Sequence, residues 1–352
     1  MVHRGLEGVE VAETRISRVD GARGALHLAG MPIEDLVAEG LLAAITRLWS
    51  AAGRPLPTDL REALGAARSA AFSQLPQAAP ALALEDGMSA LRAGVELLSP
   101  EDAVSIISAV SVFTAAWVRA RQGRSPIVPD PSRSPAEDLL RMLLGDDVSS
   151  LAARSRALEA YLTAVTEHGM NASTFTARAV TSTGATDRAA VTAAIAALSG
   201  PLHGGAPGPV LDMLDAIGAA SQAEPWIKAE LSAGRRIMGI GHRVYRVRDP
   251  RAAVLETAAH DLAEAGVGGE RLALARAVEA AAVQILSAHK PDRPLYANVE
   301  FATAVLLEAI GIPRAAFTLC FTCGRVIGWL AHTAEERRDG RLIRPRAVYV
   351  GA

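Results

Sequence analysis

Apolar positions recur at intervals of three and four along most of this chain, the spacing of helices that bury one face. Leu41, Leu42, Ile45 and Leu48 form the first such stripe, and Gly53 with Pro55 ends it. Further helices are predicted over roughly 59–71, 85–98, 101–121, 134–144, 149–167 and 171–182, parted by turns such as SPIVPDPSRSP. Asp187 reads as the N-cap of a helix presenting Val191, Ile195 and Leu198, which Gly200-Pro201 stops. Pro207 and Pro209, tolerated in a first turn, open the next with Val210, Leu211, Leu214 and Ile217. His203, Gly204 and Gly205 therefore fall in a tight loop between two helix ends. Residues 5–37 break the pattern: Gly5, Gly8, Gly21, Gly24 and Gly30 stand among short apolar pairs, which predicts a small strand-and-turn arm. The whole predicts an all-α fold.

Composition sharpens this. At 352 residues the chain exceeds the usual size of one compact core, so two domains are expected. Hydrophobic residues make up 50% of it and aromatics only 4%, a balance that favours helix over sheet. The formal charge of −2, from 36 basic and 38 acidic residues, supplies no global field for nucleic acid or an anionic membrane, and neither is expected as a partner. The most apolar run, Ala103 to Val118, carries Ser105, Ser108, Ser111 and Thr114, is shorter than a bilayer span and reads as a buried core helix. The start, MVHRGLEGVEVAE, has no apolar run of signal-peptide length, so a cytoplasmic location is the expectation. Cys320 and Cys323 lie in an apolar helical pattern without a second pair and read as buried thiols.

Four segments place reactive side chains beside glycines or arginines: EHGMNAST at 167–174, GPLHGGAPG at 200–208, MGIGHRVYRVRDPRA at 238–252 and NVEF at 298–301. FTCGRVIGWLAH and RLIRPRAVYVG follow. His203 is flanked by glycines that let a bulky ligand approach, and a nearby helix N-terminus disfavours imidazolium, so a neutral imidazole is implied. Taken singly, His3, His27, His260, His289 and His332 read as hydrogen-bonded structural residues. Gly239 and Gly241 free the backbone beside His242, while Arg243, Arg246, Arg248 and Arg251 concentrate charge suited to phosphate or carboxylate. Glu300 is set among Asn298, Val299 and Phe301. Arg325 interrupts an apolar helix, which is costly unless it meets an anion or a buried ionic partner. No P-loop, HExxH, GxSxG or paired CxxC occurs, and no metal is expected.

Taken together, HxxNASTFTAR, GPLHGGA, GHRVYxxxDPR, the carboxylate after Asn-Val, GRxxGWLAH and RPRAxYVG resemble the citrate synthase family over essentially the whole chain. The resemblance implies a mostly helical homodimer. Its large domain would comprise residues 1–203 and 307–352, its small domain 204–306, with the active site in the cleft between them. It implies condensation of acetyl-CoA, a co-substrate and not a resident cofactor, with oxaloacetate and water to citrate, the entry to the tricarboxylic acid cycle. His203 would donate to the thioester oxygen, Glu300 would take the methyl proton, and His242 would polarise the oxaloacetate ketone. His168, Arg251, Arg325 and Arg344 would bind carboxylates, and Gly239, Gly241 and Arg246 would meet CoA. Three positions depart from the family pattern: Glu300 where aspartate is usual, Gly169 for a glutamate, and Ala29-Gly30-Met31 for Arg-Gly-Tyr. A 2-methylcitrate synthase using propionyl-CoA and a non-catalytic CoA or dicarboxylate sensor are the alternatives, the first because one methylene is worth only about 1–3 kcal/mol in an apolar pocket.

Overall fold

The structure, a computed structural model, describes residues 3–6, 8–203, 207–241, 245, 247–289 and 295–351. Strands β1 (Ser17–Asp20), β2 (Ala25–Leu28) and β3 (Met31–Pro32) form the predicted arm, an antiparallel meander in which Ser17 pairs with Leu28 and Val19 with Leu26. Every other long element among the described residues is helical. The arm runs into α1 (Ile33–Glu39) and α2 (Leu41–Ala52), followed by α3 (Leu60–Ser73), α4 (Leu75–Leu82), α5 (Gly87–Glu96) and α6 (Ala103–Arg121). Then come α7 (Pro135–Leu144), α8 (Leu151–Ala164), α9 (Ala172–Thr181) and α10 (Asp187–Leu198). The last six are α11 (Pro207–Ile217), α12 (Ala223–Ser232), α13 (Pro250–Glu264), α14 (Gly269–His289), α15 (Val299–Ile310) and α16 (Phe317–Asp339).

Helix starts follow the side chains that can satisfy free N–H groups. Asp59, Asp86, Asp102, Ser134, Asn171, Asp249 and Asn298 each accept a hydrogen bond from the backbone of the first turn they open. At α10 the cap is Thr186, whose hydroxyl accepts from the N–H of Ala189, and not Asp187. Asp187 instead binds Arg54, Thr333 and Arg337, tying α10 to α16. Helix α4 has no counterpart among the helices expected from the sequence; Pro76 occupies its first turn and the helix packs on α5. Helix α6 continues past Val118 to Arg121 and, at mean hydropathy 1.6, is long and apolar enough to span a bilayer. Within the fold 78% of that apolar window is buried, which makes it a core helix. Cys320 and Cys323 are buried free thiols.

Helix α16 is the axis on which α2, α6, α8, α9 and α10 all pack. Two glycines bring the end of α8 directly onto it. A Cβ at Gly324 would lie 2.6 Å from Val165 Cγ2, and one at Gly328 would overlap the carbonyl oxygen of Thr166 and come within 2.8 Å of Glu167 Oε2. Helix α8 therefore ends at Ala164, short of the predicted 167, and the chain turns through Glu167-His168-Gly169 against α16. On the other side, α13 packs on both α8 and α15, and α11 on α15.

Candidate active site

His203 sits at the N-terminus of α9. The N–H of Ser173, one of the first-turn groups no helical carbonyl can satisfy, donates to His203 Nε2 at 3.3 Å. The Ser173 hydroxyl lies 2.8 Å from the same nitrogen and 2.9 Å from Asn171 Oδ1, while Trp329 Nε1 donates to it at 3.2 Å. With Nε2 accepting, the ring proton belongs on Nδ1, and imidazole is held neutral. Burial lowers the pKa of His203, and the charge of Arg325 lowers it further. The nearby helix N-terminus expected from the sequence is that of α9.

Arg325 is wholly buried in α16. Its Nε donates to the carbonyl of Val165 at 2.8 Å, its guanidinium stacks 4.8 Å from the Phe321 ring centre, and Nη1 lies 3.1 Å from His168 Nδ1. Asn171 Nδ2 also approaches that nitrogen at 3.2 Å, so Nδ1 accepts and Nε2 is the donor of His168. Nη2 of Arg325 is buried with no hydrogen-bond partner among the described residues. Burial lowers the Arg325 pKa to about 10; Glu167 opposes that shift and Arg251 adds to it.

Glu167 is the nearby counter-charge, and it too is fully buried. Its Oε1 accepts from Ser17 Oγ at 3.0 Å and from the N–H of Gly169 at 2.5 Å, and lies 3.3 Å from His332 Nε2. Burial alone would raise its pKa, but His332, Arg325 and the Gly169 N–H outweigh that and hold it below the usual carboxylate value. Because Arg178 Nη1 can only donate, His332 Nδ1 accepts from it at 3.0 Å, which leaves the Nε2 proton facing Glu167. Arg178 also pairs with Glu335 and Glu336. His332 is thus buried and hydrogen-bonded, as expected from the sequence.

Arg251 lies just inside α13, buried, and Asp249 holds its guanidinium with bonds of 2.7 and 3.1 Å. Burial would lower its pKa, yet Asp249, Tyr245 and Glu300 raise it on balance. Tyr245 is itself buried, which pushes its hydroxyl up to about 12. Glu300 is the second residue of α15, half-buried, and its Oε2 has no hydrogen-bond partner among the described residues. Gly239 and Gly241 fix the approach to that helix: the Gly239 carbonyl accepts from the N–H of Asn298 at 2.9 Å, and the Gly241 carbonyl from Asn298 Nδ2 at 3.0 Å. Both have positive φ, and a Cβ on Gly239 would lie 2.8 Å from Phe301 Cβ.

Arg325 connects His203, His168 and Arg251, and Glu300 adjoins Arg251, so five of the predicted residues share one region. His242 and Arg246 lie outside the described residues. Arg344 does not join the cluster within one chain; it is exposed in the C-terminal stretch, where it lines a groove with Arg15, Phe175 and Arg178. Arg248 pairs with Glu256 and Glu279 on the surface. Sequence reading passed over Glu167, Ser173 and Asn298, whose roles come from contacts distant in the chain; the acid beside His168 at the end of an apolar helix was the one available signal.

A family model described as citrate synthase, C-terminal domain, matches residues 5–346. A citrate synthase of Haloferax volcanii is 36% identical, the alignment covering 99% of this chain and 95% of that protein. The crystal structure of citrate synthase from Thermotoga maritima superposes with a TM-score of 0.84 at 30% identity, over 100% of this chain and 96% of that one. The ternary complex of citrate synthase from Thermoplasma acidophilum with carboxymethyl coenzyme A and oxaloacetate superposes with a TM-score of 0.84 at 27% identity, covering 100% and 97%.

Proposed function

The chain belongs to the citrate synthase family of acyltransferases, and from that premise we propose how its residues divide the condensation of acetyl-CoA with oxaloacetate. Glu300 takes a proton from the thioester methyl while His203 Nδ1 donates to the thioester oxygen. The resulting enol carbon bonds to the oxaloacetate ketone carbon, and His242 supplies the proton that the ketone oxygen needs. Water then cleaves the thioester, releasing CoA and citrate. A thioester methyl is a weak acid, so a carboxylate base requires a donor pre-aimed at the developing oxyanion.

One observation carries the reading. Arg251 and Arg325 are two buried guanidiniums, the charge of Arg251 is felt at Arg325, and His168 lies beside Arg325. Such a pair suits a ligand bearing two carboxylates, each able to accept from a guanidinium fork. The Thermoplasma complex with oxaloacetate and a CoA derivative supports the same substrate class. The reading takes residues 1–203 with 307–352 as the large domain, 204–306 as the small one, and the site between them, where Gly239, Gly241 and Arg246 would meet CoA.

A second chain completes the site. Leu342, Val348, Tyr349 and Val350 are exposed apolar residues of the C-terminal stretch that carries Arg344, which fits a tail laid on a partner subunit, with Arg344 reaching the partner's oxaloacetate.

The test is release of free CoA from acetyl-CoA plus oxaloacetate, with propionyl-CoA in parallel. Turnover is expected with acetyl-CoA; a preference for propionyl-CoA would move the assignment to 2-methylcitrate, and release from neither would leave a sensor. Glu300→Gln should lose about 10²-fold or more in turnover, as expected for a general base, while still binding oxaloacetate by calorimetry. Near-normal turnover would remove Glu300 from the role.

A further inference from the structure

The inner face of the β1–β2 hairpin rests on the loop that carries His168. Ser17 Oγ donates to Glu167 Oε1 at 3.0 Å, and Val19 Cγ2 lies 3.0 Å from where a Cβ would stand on Gly169. Their cross-strand partners Leu28 and Leu26 are buried, so this face is anchored in the core. The hairpin's turn rests on a different loop. A Cβ at Gly24 would stand 2.5 Å from Val247 Cγ2 and 2.9 Å from the carbonyl oxygen of Arg248. Both contacts leave no room for a methyl group.

The second loop leads directly to Arg251. Arg248 is pinned by Glu256 of α13 and Glu279 of α14, and Asp249 is both the N-cap of α13 and the anchor of the Arg251 guanidinium. A shift of the Arg248 carbonyl therefore passes through one residue to the cap that aims Arg251. At its other end the hairpin touches Glu167 and Gly169, on either side of His168. The arm keeps this company further along, since α1 packs against α13 and α8 and the charge of Glu34 is felt at Tyr245.

We propose that the β1–β2 hairpin is a positioning element for the dicarboxylate substrate. It spans from the His168 loop to the loop before Arg251, and its length sets the separation of the two groups that grip oxaloacetate. This rests on the assignment of His168, Arg251 and Arg325 to oxaloacetate made above. No hairpin residue touches substrate in this scheme; the hairpin acts through the loops at its two ends.

The experiment is calorimetric titration of oxaloacetate into Gly24→Ala, Val247→Ala and the double variant, with thermal denaturation of each. Gly24→Ala forces the second loop outward and should weaken oxaloacetate about tenfold, since displacements near 1 Å at a binding geometry can cost on the order of 10²-fold. Val247→Ala, at an exposed side chain, should bind within about twofold of the parent, as surface truncations usually do. The double variant should regain part of the logarithmic loss, because the smaller side chain removes the 2.5 Å overlap while the 2.9 Å approach to the Arg248 carbonyl stays. Wild-type affinity in Gly24→Ala would overturn the proposal. So would a double variant as weak as Gly24→Ala, which would trace the loss to strain in the turn. If Gly24→Ala does not fold, Val19→Ala at the other end carries the test, with weaker oxaloacetate binding and a retained Tm expected and unchanged affinity overturning the idea. Arg251→Ala separates the two readings, since undiminished oxaloacetate binding there would fault the site assignment and not the hairpin.

Discussion

A single ring nitrogen decides what His203 can do. Its Nε2 is occupied by the N–H of Ser173 at a helix N-terminus, so protonating the ring would turn an acceptor into a donor facing a donor. Burial and the Arg325 charge act in the same direction, lowering the pKa from 6.5. The neutral, donating form therefore prevails above the folded pKa and is lost as the pH falls through it. In a histidine-labelled NMR titration the His203 resonance, identified by its loss in His203→Asn, should shift only below the ordinary imidazole range of about 6.5. A midpoint at or above that range would contradict the assigned tautomer. The longer arm of Glu300, where the family usually has aspartate, belongs to the same scale. It projects from the first turn of α15, whose start the Asn298 side chain and the carbonyls of Gly239 and Gly241 hold in place.

Between elements, the closest approach that matters to the site is α16 against the end of α8. Gly328 lets the carbonyl of Thr166 touch the helix, which sets Glu167 and His168 beside Arg325, one helical turn away on α16. Gly328→Ala places a methyl group on a backbone atom that cannot rotate aside. Overpacking of this kind costs about 1–3 kcal/mol, read as a Tm lower by roughly 1–4 °C. Oxaloacetate affinity should fall with it, because the displaced turn carries His168. An unchanged Tm together with unchanged affinity would show that the helices part there without consequence. The helix N-termini tell a related story: Asn171 and Asn298 cap α9 and α15 with their side-chain oxygens, and the fold decides which histidine or carboxylate each helix end faces.

Across the molecule, the site draws on the arm, α8, α9, α13, α15 and α16, and the proposed second subunit adds Arg344. If that tail completes the partner's site, mixing inactive Arg344→Ala and Glu300→Gln subunits should restore activity. Each hybrid dimer then holds one intact site, and random exchange predicts recovery of about a quarter of wild-type activity. No recovery after verified subunit exchange would return Arg344 to its own chain. The sequence by itself determined the helical class, the strand-and-turn arm and the motifs that single out His168, His203, Arg251, Glu300 and Arg325, because periodicity and glycine placement act over a few residues. It missed α4, a two-proline helix that packs on α5, and it misplaced the α10 cap by one residue. Only the tertiary structure decided which ring nitrogen of the neutral His203 carries the proton, the buried Glu167 and His332 near Arg325, and the reach of the hairpin to both substrate loops. Those depend on contacts between residues well apart in the chain, 30 positions for Ser173 with His203 and 150 for Ser17 with Glu167, where no local pattern records which side chains will meet or how far from water they will lie.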